Sequence, residues 1–85
     1  MVLMQIKIFW QPECHNCPEV KELGETLKKE GYEVQLFNVK EVDGMAESVY
    51  YDVLSTPSVV VVENGEQKAS WLGEVPAVEA IKGLV

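Results

Sequence analysis

Two cysteines with two residues between them, one of those a histidine, are where this sequence concentrates its reactive side chains. They lie in the run Trp10-Gln11-Pro12-Glu13-Cys14-His15-Asn16-Cys17-Pro18, which holds both cysteines and the only histidine of the chain. The run follows an apolar stretch and opens a segment of helical periodicity. A Cys-x-x-Cys at such a junction points to a redox-active dithiol, because the thiolate is a nucleophile. At the start of a helix Cys14 meets unpaired amide hydrogens and the positive end of the helix dipole, which lower a thiol pKa from about 8.5 toward about 3.5–7.5. Cys17, one turn further on, is expected to be more buried and to attack the mixed disulfide that Cys14 forms.

Blander readings stand beside this one. A plain structural disulfide would close too short a loop to constrain the unfolded chain much. A metal site is the other alternative. One Cys-x-x-Cys supplies two ligands where a closed tetrahedral zinc site needs four, and His15 is poorly placed to complete the same site. That leaves a metal or an iron–sulfur cluster held between two chains, which would make the protein a non-catalytic binding module. His15 reads either as a cation that stabilises the Cys14 thiolate or as a solvated spacer. Trp10 either lines the site or belongs to the core.

The elements that must position this run follow from periodicity. Ile6 and Ile8, with Val2 and Met4, alternate with Leu3, Gln5, Lys7 and Phe9. Both faces are mostly apolar, which predicts a central strand covered on both sides. A helix is predicted from about Cys14 to Glu30, with Val20, Leu23, Gly24 and Leu27 as its buried stripe and Gly31 as its cap. Pro18 is tolerable there because it falls in the first turn. Glu33 to Val39 reads as a second strand with little room for a solvated face, parallel to the first. A second helix follows, capped by Asp43, with Ala46, Val49, Tyr50 and Val53 at helical spacing; it must end before Pro57. Ser58 to Glu63 carries four consecutive valines, a strong buried-strand signal. Asn64-Gly65 predicts a type I′ hairpin turn, and Gln67 to Leu72 is the return strand, with Ala69 and Trp71 on one face and Lys68, Ser70 and Leu72 on the other. Pro76 fits the first turn of a last helix whose apolar face is Val78, Ile81, Leu84 and Val85. The resulting order, β-α-β-α-β-β-α, predicts an α/β fold with a four-stranded mixed sheet between helices.

Composition bounds the function. At 85 residues the chain is expected to be a single domain spanning 1–85, and 47% hydrophobic residues supply a core. Seven basic and fourteen acidic residues leave a net charge of −7. Such a chain is a poor partner for nucleic acid or anionic membranes, which require clustered Lys and Arg. No stretch approaches the roughly 20 apolar residues that span a bilayer. Met1-Val2-Leu3-Met4 lacks the basic flank of a signal peptide, so a cytoplasmic location is expected. In that compartment a lone cysteine pair is more often catalytic or metal-binding than structural.

The element order, the Cys14-His15-Asn16-Cys17 pair after the first strand, and Thr56-Pro57 before the third together resemble the thioredoxin superfamily, in a minimal glutaredoxin-type form without an extra leading strand and helix. The resemblance covers essentially the whole chain. It implies that Pro57 is a cis-proline lying against the cysteine pair and that the Thr56 backbone contacts an extended substrate, with Trp10 beside them. The longer run Cys14-His15-Asn16-Cys17-Pro18-Glu19-Val20 is similar to the active-site run of the amino-terminal domain of the alkyl hydroperoxide reductase flavoprotein subunit, and small archaeal and thermophilic redoxins also carry a proline after the second cysteine. His15, Asn16 and Pro18 are therefore expected to modulate the pair. The resemblance implies a thiol–disulfide oxidoreductase of glutaredoxin/thioredoxin type. It would be a monomeric electron carrier in cell redox homeostasis that reduces protein disulfides with electrons from a flavoprotein or thioredoxin-reductase-like donor. No cofactor beyond the redox-active disulfide is implied. Two departures stand out. Gln11 and Pro12 replace the basic approach to the first cysteine, and Leu72-Gly73-Glu74 offers one glycine where glutathione-binding members have two, so a glutathione site is not expected. Ile8 occupies the position, six residues before Cys14, where thioredoxins keep a buried Asp.

Overall fold

In the computed structural model, which describes residues 4–14 and 17–84, the first strand serves two cores at once. This strand, β1 (Met4–Trp10), places the fully buried Ile6 and Ile8 in one cluster and the fully buried Phe9 in another. The remaining elements are α1 (Cys17–Lys29), β2 (Glu33–Asn38), α2 (Val42–Tyr50), β3 (Ser58–Glu63), β4 (Glu66–Leu72) and α3 (Val78–Lys82). The strands form one sheet in the order β2-β1-β3-β4. β1 runs parallel to β2, with Ile6 opposite Val34, and antiparallel to β3, with Ile6 opposite Val61. β3 and β4 are antiparallel, with an irregularity at Val61/Val62. Both residues of the Asn64-Gly65 turn have positive φ, as a type I′ hairpin requires. Among the described residues no helix is long and apolar enough to cross a membrane.

The larger core joins Ile6, Ile8, Val59 and Val61 of the sheet to Cys17, Val20, Leu23 and Leu27 of α1 and Ile81 of α3. The predicted α1 stripe is buried in full. α1 is described from Cys17 onward; ahead of it Pro12 and Glu13 form a turn in which the Cys14 amide donates to the Gln11 carbonyl, and the Cys17 amide donates back to the Cys14 carbonyl. Its far end is a Schellman cap: the Gly31 amide donates to the Lys28 carbonyl and the Tyr32 amide to the Leu27 carbonyl. The smaller core, on the opposite face of the sheet, consists of Phe9, Val53, Val60 and Val62, with Phe37, Val39 and Tyr51 packed against it. Lys7 lies on the same face. Its ammonium donates to the Glu47 carboxylate of α2 at 2.7 Å and sits 5.0 Å from the centre of the Tyr51 ring.

Four expectations are corrected. β2 is an edge strand, and Leu36 is exposed. α2 is preceded by Glu41 at its N-cap, which makes no side-chain cap bond; Asp43 lies inside the first turn, where its charge still faces the positive end of the dipole. The stripe Ala46, Val49 and Tyr50 points outward, and only Val53, beyond the helix, reaches the core. The face that α2 buries is Gly44 and Ser48. A Cβ at position 44 would collide with the Asn38 carbonyl, so only glycine lets the helix come so close to the end of β2. Finally, α3 is a short helix that Pro76 precedes rather than opens; Leu84 lies beyond its end, and Val85 is outside the described residues.

Candidate active site

β1 ends at Trp10 and delivers the chain into the turn that carries the first cysteine. Glu13 in that turn has φ +66°, a left-handed conformation uncommon for a side chain with a Cβ. Cys14 and Cys17 are joined as a disulfide, with their Cα atoms 5.3 Å apart. The two sulfur-bearing residues are not equivalent. Cys17 opens α1 and is only 3% exposed, set in the larger core, whereas Cys14 is partly exposed in the turn ahead of the helix. Pro18, the second residue of α1, is exposed; its missing amide hydrogen leaves no helical bond unmade. His15 and Asn16, expected to modulate the pair, lie outside the described residues.

A cleft of about 310 Å³ opens beside the pair, lined by Trp10, Gln11, Glu13, both cysteines and Lys21. The Lys21 ammonium stands 3.4 Å from the centre of the Trp10 ring, a cation–π contact. Lys21 is four residues after Cys17, and helical side chains point back toward the N-terminus, so this charge lies over the turn that Cys17 occupies. Trp10 thus has both of its expected places. It lines the cleft, and it packs against the core.

The second half of the site comes from far along the chain. The Thr56–Pro57 peptide bond is cis and Pro57 is buried. Gln11 donates from Nε2 to the Thr56 hydroxyl oxygen at 2.8 Å, tying the cysteine turn to the proline loop across 45 positions. Ser58, fully buried, donates to the Ser55 carbonyl at 2.7 Å and accepts from the Gly73 amide at 3.1 Å. These bonds fasten the proline loop to the cysteine turn on one side and to the segment after β4 on the other.

Gln11, Ser58 and Lys21 are site residues that sequence reasoning passes over. Ser58 leaves a faint signal, a polar residue heading a run of valines. Lys21 leaves another, a cation at i+4 from Cys17. Gln11 leaves none. Ile8 is fully buried among aliphatic side chains, and the buried polar side chains among the described residues are Ser48 and Ser58. No buried carboxylate stands behind the pair in those residues. Nor do three or more of their His, Cys, Asp or Glu side chains group so as to hold a metal ion.

A family model described as a thioredoxin domain matches residues 4–85. The chain belongs to the thioredoxin family. It is 35% identical over 71 residues to the chloroplastic M-type thioredoxin of Spinacia oleracea, an alignment that takes in 80% of this chain and 38% of that one. The chain therefore spans well under half the length of this curated relative. Among solved structures it is similar to a mutant thioredoxin from Halobacterium salinarum, with TM-score 0.83 and 25% identity over 96% of this chain and 71% of that one. It also shares its fold with thioredoxin-2 of a malaria parasite, with TM-score 0.82 and 13% identity over 98% of this chain and 81% of that one. Thioredoxin O2 of Arabidopsis thaliana in the oxidised state gives 0.78 and 17% over 96% and 71%. In this thioredoxin domain the paired cysteines, the helix start and the cis-proline loop meet at one end of the sheet, and thiol–disulfide exchange is the chemistry that such a pair supports.

Proposed function

We propose that the chain is a dithiol–disulfide oxidoreductase that reduces disulfides of other proteins. One observation carries the reading: the two linked cysteines differ in access, Cys14 part exposed before α1 and Cys17 buried at its first residue. In the reduced chain the Cys14 thiolate attacks one sulfur of a partner disulfide. The partner's other sulfur leaves as a thiolate and takes a proton from water. The Cys17 thiol then loses its proton, and its thiolate attacks the Cys14 sulfur. The second partner thiol is released, and the Cys14–Cys17 disulfide remains. The second leaving sulfur is protonated likewise, so the partner gains two electrons from the cysteine pair and two protons that exchange through water. The Thr56 backbone and Trp10 hold the partner's extended segment beside the pair. The disulfide itself is the electron carrier, and no further cofactor takes part.

The donor that restores the dithiol is a flavoprotein or thioredoxin-reductase-like enzyme rather than glutathione. Gln11 and Pro12 bring no positive charge to the approach, and one glycine stands in Leu72-Gly73-Glu74. Replacing Cys17 by Ser removes the resolving thiol, so a covalent adduct with a protein disulfide substrate accumulates through Cys14. Cys14→Ser gives none. Non-reducing electrophoresis with insulin as substrate, followed by peptide mapping of the linked cysteine, reads the result. An adduct through Cys17 in the Cys14→Ser variant would overturn the assignment. Recovery of turnover with glutathione and glutathione reductase, but not with a flavoprotein thioredoxin reductase, would overturn the choice of donor.

A further inference from the structure

Of the eight exposed large hydrophobic side chains among the described residues, five fall within positions 42–54: Val42, Met45, Val49, Tyr50 and Leu54. Their exposures run from 54% to 96%. At 100° per residue the four on α2, with the exposed Ala46, fill one continuous outward sector, where a surface helix ordinarily carries polar groups. The two cores take no side chain from this sector, although the Tyr50 ring stands edge-on to Tyr51 at 4.7 Å. α2 is held by the close approach of Gly44 to Asn38 at the end of β2, by the Glu47–Lys7 pair and by Tyr51 in the smaller core. A contiguous apolar face left over by folding marks an interaction surface, and Tyr and Met are residue types enriched in interface centres.

The surroundings select the occupant. The exposed charged residues of 40–54 are Glu41, Asp43 and Asp52 against Lys40 alone, in a chain of net charge −7. A second copy would bring the same acidic rim and the same −7 against it, which charge repulsion opposes. A partner with apolar side chains ringed by Lys or Arg is complementary. The face also leads to the cysteines. Leu54 lines a cleft of about 220 Å³ together with Ser55, Thr56 and Gln11, and the Gln11–Thr56 hydrogen bond joins that cleft to the cysteine turn.

We propose that the outward face of α2 together with Leu54 is the docking surface for the protein whose disulfide Cys14 attacks, and that this partner presents apolar side chains ringed by Lys or Arg. The proposal rests on the oxidoreductase reading for the partner's identity, and the test separates the two. The probes are three synthetic peptides sharing one intramolecular disulfide: one unextended, one extended by an amphipathic Leu/Lys helix, and one by a Leu/Glu helix. The reduced protein is mixed with each, and the rate of peptide reduction is measured. The Leu/Lys extension should raise kcat/KM about tenfold, and the Leu/Glu extension should not. Val49→Glu and Met45→Glu, both at exposed positions on α2, should abolish the gain and leave the unextended peptide's rate within about twofold. Amide chemical shifts of the oxidised protein, titrated with the Leu/Lys peptide, should move at residues 42–54. Shifts confined elsewhere, equal gains from both extensions, or a gain that survives Val49→Glu would overturn the docking face. So would a dimer in sedimentation that Val49→Glu dissociates, since the occupant would then be a second copy. Failure to reduce the unextended peptide would instead sink the oxidoreductase reading, and the shift titration would still decide the face.

Discussion

α1 and α2 cover opposite faces of one sheet and use their apolar residues in opposite ways. α1 turns Val20, Leu23 and Leu27 inward, each an aliphatic side chain whose burial is worth about 1.5–3 kcal/mol. α2 turns Gly44 and Ser48 inward and leaves Val42, Met45, Val49 and Tyr50 in solvent. The first helix builds the core that carries Cys17. The second is attached by close approach and by polar bonds, and leaves most of its apolar side chains exposed. An apolar stripe is thus a statement about a helix having one greasy face, and only the packing decides whether that face is spent inside.

The strongest way to break the comparison is through the cores. Leu27→Ala should cost about 2–5 kcal/mol, because it empties a fully buried site between α1 and the sheet. Gly44→Ala should cost about 1–3 kcal/mol, since the new methyl group meets the Asn38 backbone, which a rotamer change cannot move aside. Urea unfolding of the two variants measures both. A neutral Gly44→Ala would mean that α2 is not held by close approach.

The polar attachment of α2 gives the next effect. Burial lowers the Lys7 pKa, but the hydrogen bond to Glu47, the nearby Tyr51 and the charge of Glu47 outweigh it, and the net shift is upward from 10.5. A group whose pKa is raised on folding stabilises the fold in full below its unfolded pKa. That contribution fades as pH climbs through the folded value, so it should be constant across neutral pH and lost only above 10.5. Glu47→Gln, which leaves the mostly buried ammonium without its counter-charge, should cost about 1–2 kcal/mol at about pH 7. Lys7→Met should flatten the alkaline fall in stability relative to the unaltered chain. Chemical denaturation from neutral pH to beyond the Lys7 titration reads both. An alkaline fall unchanged in Lys7→Met would assign it to other groups.

The same contrast explains what the sequence discloses. The stripe and the far end of α1 are legible because its large apolar side chains are the ones it buries, and Gly31 after Lys28 and Lys29 marks its end. The element order, the hairpin at Asn64-Gly65 and the cysteine pair at a helix start are all local patterns. The cis bond at Pro57 followed from likeness to a family rather than from any local preference. What could not be read is what depends on a second segment. Periodicity groups Ala46, Val49 and Tyr50 on one face without saying which way it points, and the contact that decides, Gly44 against Asn38, belongs to the tertiary fold. Strand order makes β2 an edge and exposes Leu36, which no property of Glu33 to Val39 announces. The bonds from Gln11 to Thr56 and from Ser58 to Ser55 and Gly73 join segments whose nearness is a result of folding.

The smallest expected effect is the sharpest test of the contrast. Val49→Ser removes an apolar side chain from a helix, a change that at an α1 stripe position would open the core. Val49 is 71% exposed, its neighbours on the same sector are exposed too, and Val and Ser differ little in helix propensity. The folded chain therefore gives up little buried apolar surface, and stability should change by less than about 0.5 kcal/mol. Thermal unfolding of Val49→Ser beside Leu27→Ala should show a shift in the second that is several times larger than in the first. If Val49→Ser instead falls as far as a core variant, its side chain is already covered in the free chain. The face would then belong to the fold, and no apolar surface would remain on α2 for a partner to meet.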